Sequence, residues 1–185
     1  MDAARQLFDE VGFEKTTVRM IAKRAGVSLG GVFTTFESKA DILVEIVSER
    51  RAAMIEEMEG RVLAMDGSVL DRILLVFVTG HRETFPNAQL RMAYLGASFS
   101  WSHNTERTNF ELQARMGALM GRLLQEGVER GEIRADLDLF LFLRTILSLN
   151  LTNFRLAYYG GWTVEEMDDV LRRQLEMMFE GARPR

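Results

Sequence analysis

Residues 17–36 read TVRMIAKRAGVSLGGVFTTF, and their order decides the architecture around them. Thr17 is an N-cap type, and Val18, Ile21, Ala22 and Ala25 follow at the spacing of one apolar helix face. Gly26 then supplies a residue tolerant of positive φ, Val27 an apolar anchor, and Ser28 a second N-cap. A third helix starts there, with Leu29, Val32 and Phe36 as its apolar residues. Ala22, four residues before Gly26, is small enough to let the two helices approach closely. Two short helices on so tight a turn cross steeply, which is the arrangement that lays the second helix in the major groove of DNA. That helix is expected to present Leu29, Gly30, Gly31, Thr34 and Thr35, short enough for base edges and the thymine methyl. Thr17 and Arg19 stand where backbone amides and a guanidinium can bind phosphate. Lys39, at the start of the next helix, is expected to reach a phosphate flanking the groove.

Working outward, Ala4, Leu7, Phe8 and Val11 make one apolar stripe that ends at Gly12. Three short helices with tight links fit a small three-helix domain. Ser38 caps a further helix expected over 39–65, with an early apolar face of Ile42, Leu43, Ile46 and Val47. Its later run SERRAAMIEEMEGR reads as a solvent-lined connector, broken at Asp66-Gly67-Ser68. Helices are expected over 69–85, 88–101, 105–129 and 136–159, with a polar loop at 102–104 and a last helix capped by Thr163. No strand alternation and no internal repeat stands out. The class is all-α with about nine helices, divided into a helix-turn-helix domain at 1–45 and a second helical domain at 46–185.

Composition narrows the function. An apolar share of 47% is ordinary globular usage, so disorder is not the default. The chain has no Cys, which excludes disulfides and thiolate metal sites and suits a reducing compartment. The start MDAARQLFDE has no basic cap before an apolar run, and no stretch is apolar for long enough to span a bilayer, so a cytoplasmic protein is expected. The net charge of −4 by itself argues against nucleic acid. Its distribution does not: Lys15, Arg19, Lys23 and Arg24 lie in a stretch that holds no acidic residue up to Phe36. Local charge, more than the total, sets attraction to phosphate. The competing reading is a solvated helix face.

Residues 4–43 resemble the DNA-binding domain of the TetR/AcrR family of regulators. The matching elements are Gly12-Phe13, Thr16-Thr17, Ile21-Ala22, Ala25-Gly26-Val27-Ser28, Phe33, Phe36 and Lys39. The resemblance implies a homodimer with an N-terminal DNA-binding domain and a C-terminal domain that binds a small molecule and forms the dimer. It puts phosphate contacts on Thr17, Arg19 and Lys39, and base-edge or methyl contacts on Leu29, Gly30 and Thr34. Ser28, Gly31, Phe33 and Thr35 complete the candidate DNA-binding set. This chain departs from the family pattern in having Gly31 where Thr is usual, Phe33 where Tyr is usual, and Thr35 where His or Tyr is usual. Phe33 lacks the hydroxyl that would bond phosphate. Gly30 and Gly31 each weaken the helix by roughly 1 kcal/mol relative to Ala.

Beyond about residue 51 the resemblance is one of architecture, plus the turn GEIRADLD at 131–138. The last two helices carry more apolar surface than a thin helical domain hides, and pairing with their symmetry mates would give a four-helix bundle. The alternative is that this surface is all intramolecular core. Phe77, His81, Phe85, Met92, Phe99, Trp101, Phe110, Met116, Phe154 and Tyr158 are candidate walls of a cavity for a small effector, being large and deformable. The competing reading for each is ordinary core. His81, with Arg82 and Glu83, reads as a polar corner of that cavity or a surface patch. Asn150 and Asn153 would orient a ligand or bond across a dimer. His81 and His103 are the only histidines, and no metal site is expected. No nucleophile–base pair and no phosphate-cradling loop is present, so an enzyme is not expected, nor is a cofactor. The expected function is a DNA-binding regulator, a repressor released from its double-stranded operator by a largely apolar or aromatic small molecule. The alternative is a dimeric small-molecule-binding protein with weak or lost operator binding, which Gly31 and Phe33 motivate.

Overall fold

The computed structural model describes residues 1–97 and 103–184, without the side chains of residues 97, 103–109 and 112. Among the described residues the regular elements are helices: α1 (Asp2–Val11), α2 (Val18–Ala25), α3 (Leu29–Phe33), α4 (Lys39–Leu63), α5 (Val69–Thr84), α6 (Ala88–Ala97), α7 (His103–Glu129), α8 (Leu139–Gly160) and α9 (Val164–Gly181). A single 3-10 turn, Phe85–Asn87, links α5 to α6. None of these helices is long and apolar enough to cross a membrane. The chain groups into two compact units, Met1–Ala53 with Asn87–Leu112, and Met54–Pro86 with Gln113–Arg185.

The first unit closes over the stripes expected from the sequence. Ala4, Leu7 and Phe8 of α1, Ile21 and Ala22 of α2, and Val32 of α3 are buried together with Ile42, Leu43, Val44 and Ile46 of α4. Val11, at the last position of α1, is exposed and does not continue the stripe. Tyr94 of α6 joins the same core, so a segment well past residue 45 packs with the first unit.

The second unit is built around α5, α7, α8 and α9, with α9 packed on both α5 and α8. Leu119, Met120, Leu123 and Leu124 of α7 are fully buried there, beside Ile73 and Phe77 of α5 and Leu171 and Leu175 of α9. The second half of α4 corrects the expectation of a solvent-lined connector. Met58 and Val62 belong to this core, and Ile55 is also buried. They form one narrow apolar stripe among the charges of the run, and a stripe that narrow still has to be covered.

Local chemistry sets the ends of these helices. Ser68 with Asp71, and Thr163 with Glu166, form capping boxes at the starts of α5 and α9. The Asp138 carboxylate accepts from the Leu141 amide at 2.9 Å, so α8 starts at Leu139, three residues later than expected. Gly161 ends α8 in the left-handed region at φ 68°. Helix α7 begins at His103, which turns the expected loop at 103 and 104 into helix. One charged network is built into the second unit. The Arg72 guanidinium is buried, donating from Nε to the Val62 carbonyl at 3.1 Å and from Nη1 to Glu126 Oε1 at 2.5 Å.

Candidate nucleic-acid interface and polar seam of the second unit

The turn between α2 and α3 adopts the conformation that its residues call for. Thr17 caps α2 by accepting from the Met20 amide at 3.2 Å. Gly26 follows α2 at φ 69°, ψ 25°, where a Cβ would be strained, and its N–H returns to the Ala22 and Lys23 carbonyls. The Val27 N–H also bonds to the Ala22 carbonyl, at 3.1 Å. Ser28 caps α3 by accepting from the Gly31 amide at 3.0 Å. Helix α3 then runs for five residues only, ending before Thr34, although the sequence carries apolar residues to Phe36. Two consecutive glycines lower the gain from extending it. The Thr34 hydroxyl turns back onto the Gly31 carbonyl at 2.7 Å.

Leu29, Gly30, Gly31, Phe33, Thr34 and Thr35 are all exposed, while Val32 points into the core. The candidate base-reading residues therefore share the solvent side of the short helix and the turn that follows it. Ser28 is exposed but has an internal task as the cap.

The cations divide into two groups. Arg19 is exposed, with no ion pair among the described residues, and Lys15 and Lys23 are also exposed. Arg24 instead grips Glu10 in a two-point pair, Nη1 to Oε1 at 3.0 Å and Nη2 to Oε2 at 2.8 Å. The hydrogen bonds from Arg24 hold the Glu10 carboxyl below its ordinary range. Lys39 donates to the Phe13 carbonyl at 2.6 Å and the Glu14 carbonyl at 3.2 Å, with its ammonium 4.2 Å from the centre of the Phe13 ring. It ties α4 to the link between α1 and α2, because an ammonium beside open carbonyls satisfies them. Thr16, matched in the sequence motif without a stated role, is buried at the same place. Its hydroxyl is shared between the Gly12 carbonyl at 2.8 Å and the Leu7 carbonyl at 3.2 Å. A Thr just past a helix-ending Gly is the only local signal that could have pointed to it.

The candidate effector residues fall in both units. Phe77, His81, Phe85, Met116, Phe154 and Tyr158 belong to the second; Met92 and Phe110 belong to the first. Phe99 and Trp101 lie outside the described residues. Phe110 is 70% exposed, Phe77 and Phe154 are buried, and Phe85, Met92, Met116 and Tyr158 are half-buried. The structure brings Phe85 edge-on to Phe154 at 5.9 Å between ring centres, and Phe77 to within 6.3 Å of the His81 ring.

His81 is buried and engaged on both sides. Its Nδ1 lies 2.5 Å from Asp168 Oδ1 and its Nε2 lies 2.6 Å from Asn150 Oδ1. An ionised carboxylate can only accept, so Nδ1 is the donor to Asp168. One imidazole thus joins α5, α8 and α9. Beside it, Asn153 Nδ2 donates to Gln174 Oε1 at 2.7 Å, a second polar tie between α8 and α9. Asn150 and Asn153 make these bonds within the single chain. Asp168 and Gln174 were not anticipated. The available signal was position: Gln174 lies seven residues after buried Met167, and Asp168 three before buried Leu171, so both flank the inner stripe of α9.

Comparisons with known proteins agree with this geometry. Residues 1–46 match the family model for bacterial regulatory proteins of the tetR family. Over 98% of its length the chain is 27% identical to the HTH-type transcriptional repressor KstR2 of Rhodococcus jostii, covering 88% of that protein. Among solved structures it resembles the transcriptional regulator FadR from Bacillus subtilis in complex with stearoyl-CoA, with a TM-score of 0.77 at 22% identity, covering 94% of each chain. It also resembles Thermus thermophilus FadR in complex with lauroyl-CoA, with a TM-score of 0.74 at 28% identity over 94% of this chain and 90% of that one.

Proposed function

We propose, for a chain that belongs to the tetR family of bacterial regulatory proteins, that it is an operator-binding repressor released by a largely apolar effector. The observation that carries the reading is the turn at Gly26: a left-handed glycine between two capped helices, with the solvent side of α3 left bare. Residues 1–45 would read DNA, and residues 46–185 would bind the effector and form the dimer. Exposed Phe140, Leu141, Leu147, Leu151, Leu156 and Tyr159 on α8 support pairing with a second copy, since so many large apolar side chains open to water on one helix are costly. Two recognition helices would then address successive major grooves, roughly 34–36 Å apart. An effector releases DNA only by binding one dimer state better than the other. The acyl-CoA complexes of the two similar structures make long-chain acyl thioesters the first class to try.

The residue roles separate in one experiment on DNA from the region upstream of the coding sequence. Arg19→Ala is expected to weaken binding to every duplex and to lower the salt slope by about one counterion. Thr34→Ala is expected to change preference at particular base pairs instead. Equal and uniform losses in both variants would contradict the division. Absence of any salt-sensitive, sequence-dependent binding would favour the second reading, a dimeric ligand-binding protein without an operator. The internal engagement of Arg24 and Lys39 is the observation on its side.

A further inference from the structure

We infer that this protein selects its DNA through thymine methyl groups. The inference rests on the operator-binding reading and adds what the groove-facing surface recognises. From Gly26 to Phe36 the chain carries no charged side chain and no Asn or Gln. Bidentate Arg or Lys to guanine, and Asn or Gln to adenine, are the side-chain pairings that read purines in the major groove. Neither is available from this helix.

What the surface offers is apolar. Leu29 and Phe33 are one helical turn apart on the solvent side of α3, 36% and 49% exposed, with buried Val32 turned the other way. Gly30 stands beside Leu29, and a Cβ added there would meet nothing within 4 Å, so the backbone is bare between the two large side chains. Two of the nearby hydroxyls are engaged within the helix, and Thr35 lies beyond its end. Ser28 Oγ accepts from the Gly31 amide, and the Thr34 hydroxyl spends its one proton on the Gly31 carbonyl. Exposed Thr34 is thereby left with a methyl and oxygen lone pairs but no free hydroxyl proton. Among the base groups that distinguish the pairs in the major groove, the thymine methyl is the one that gains from contact with Leu or Phe.

The test starts with full-length protein and a random duplex library. Recovered duplexes are remade with deoxyuridine for thymine, one position at a time and throughout, which removes the methyl and keeps the base pair. At each contacted thymine, affinity is expected to fall about three- to fivefold, the factor that corresponds to about 0.8 kcal/mol for one buried apolar carbon. The salt slope is expected to stay the same, because phosphate contacts are untouched. Leu29→Ala and Phe33→Ala are each expected to abolish one of these sensitivities and leave the others, a split that a general loss of folding would not produce. Equal affinity for thymine and uridine duplexes would overturn the inference. So would losses concentrated at guanines when 7-deazaguanine is substituted. A library that yields no enriched sequence removes the operator-binding reading itself, and this inference with it. The two failures are distinct, since in the first a specific duplex is still bound.

Discussion

Arg24 and Lys39 both contribute to the basic stretch that suggests nucleic acid, and both are engaged within the protein, on Glu10 and on the Phe13 and Glu14 carbonyls. On the operator-binding proposal, phosphate binding would fall first to Arg19, with Lys15 and Lys23 as exposed company. A second charge at this scale governs stability. Glu126 faces the buried guanidinium of Arg72, whose hydrogen bond holds the Glu126 carboxyl below its ordinary value of 4.5. A depressed carboxyl contributes stability above its unfolded value and loses it as pH falls through the folded one. Glu126→Gln is expected to cost about 1–2 kcal/mol at pH 7, less than for a fully buried pair because Glu126 is partly open to water. The difference should begin to shrink below pH 4.5, where the unfolded chain takes up the proton, and go on shrinking as pH falls towards the lowered folded value. Urea midpoints of both proteins at pH 7 and pH 3 check this, and an undiminished difference at pH 3 would contradict it. The caps at Thr17 and Ser28 and the left-handed Gly26 were legible in the sequence, because each acts on neighbours three or four residues away. The partners of Arg24, Lys39 and His81 were not. They sit 14 to 87 residues off, and only the packing of helices decides such pairs.

At the scale of the element, α3 shows what pattern alone leaves open. Its apolar spacing continues to Phe36, yet the helix stops at Phe33, since spacing marks which side is inward and not how far the helix lasts. The second half of α4 shows the converse. Dense charge hid the stripe of Ile55, Met58 and Val62, although period and burial agree there once seen. The glycines of α3 offer a test that separates folding from function. At Gly30 there is room for a methyl in the protein, and the backbone is not in the left-handed region. Gly30→Ala is therefore expected to stabilise the first unit by up to about 1 kcal/mol. It should also weaken operator binding severalfold, because the added methyl occupies the space into which bases approach. Thermal melting and affinity measured on the same preparation check both signs. Stabilisation with undiminished affinity would mean that the bare backbone at Gly30 is not at the groove.

At the scale of the molecule, the all-helical class, the helix count among the described residues and most helix bounds followed from period, caps and breakers, which are local signals. The grouping of α6 with the first unit did not, because no local feature says which core Tyr94 will join. The candidate effector residues were chosen for size and deformability, and those properties suit a core equally well. Phe77 and Phe154 are buried, Phe110 is open, and His81 is committed to Asp168 and Asn150, so a ligand gains access to that imidazole only by breaking a tie between α5 and α8 or α9. On the proposed reading, such a tie would couple an effector to helix packing, as a ligand-controlled regulator requires. The central claim is a dimer that holds operator DNA and lets go when its effector binds. Its most direct test is footprinting of the full-length protein on its selected operator while lauroyl-CoA or stearoyl-CoA is titrated in, with free coenzyme A as the control. The account predicts protection of two half-sites about one helical turn apart, lost on addition of an acyl thioester and kept with coenzyme A alone. No protected site at low salt would contradict operator binding, and protection indifferent to every apolar effector tried would contradict release.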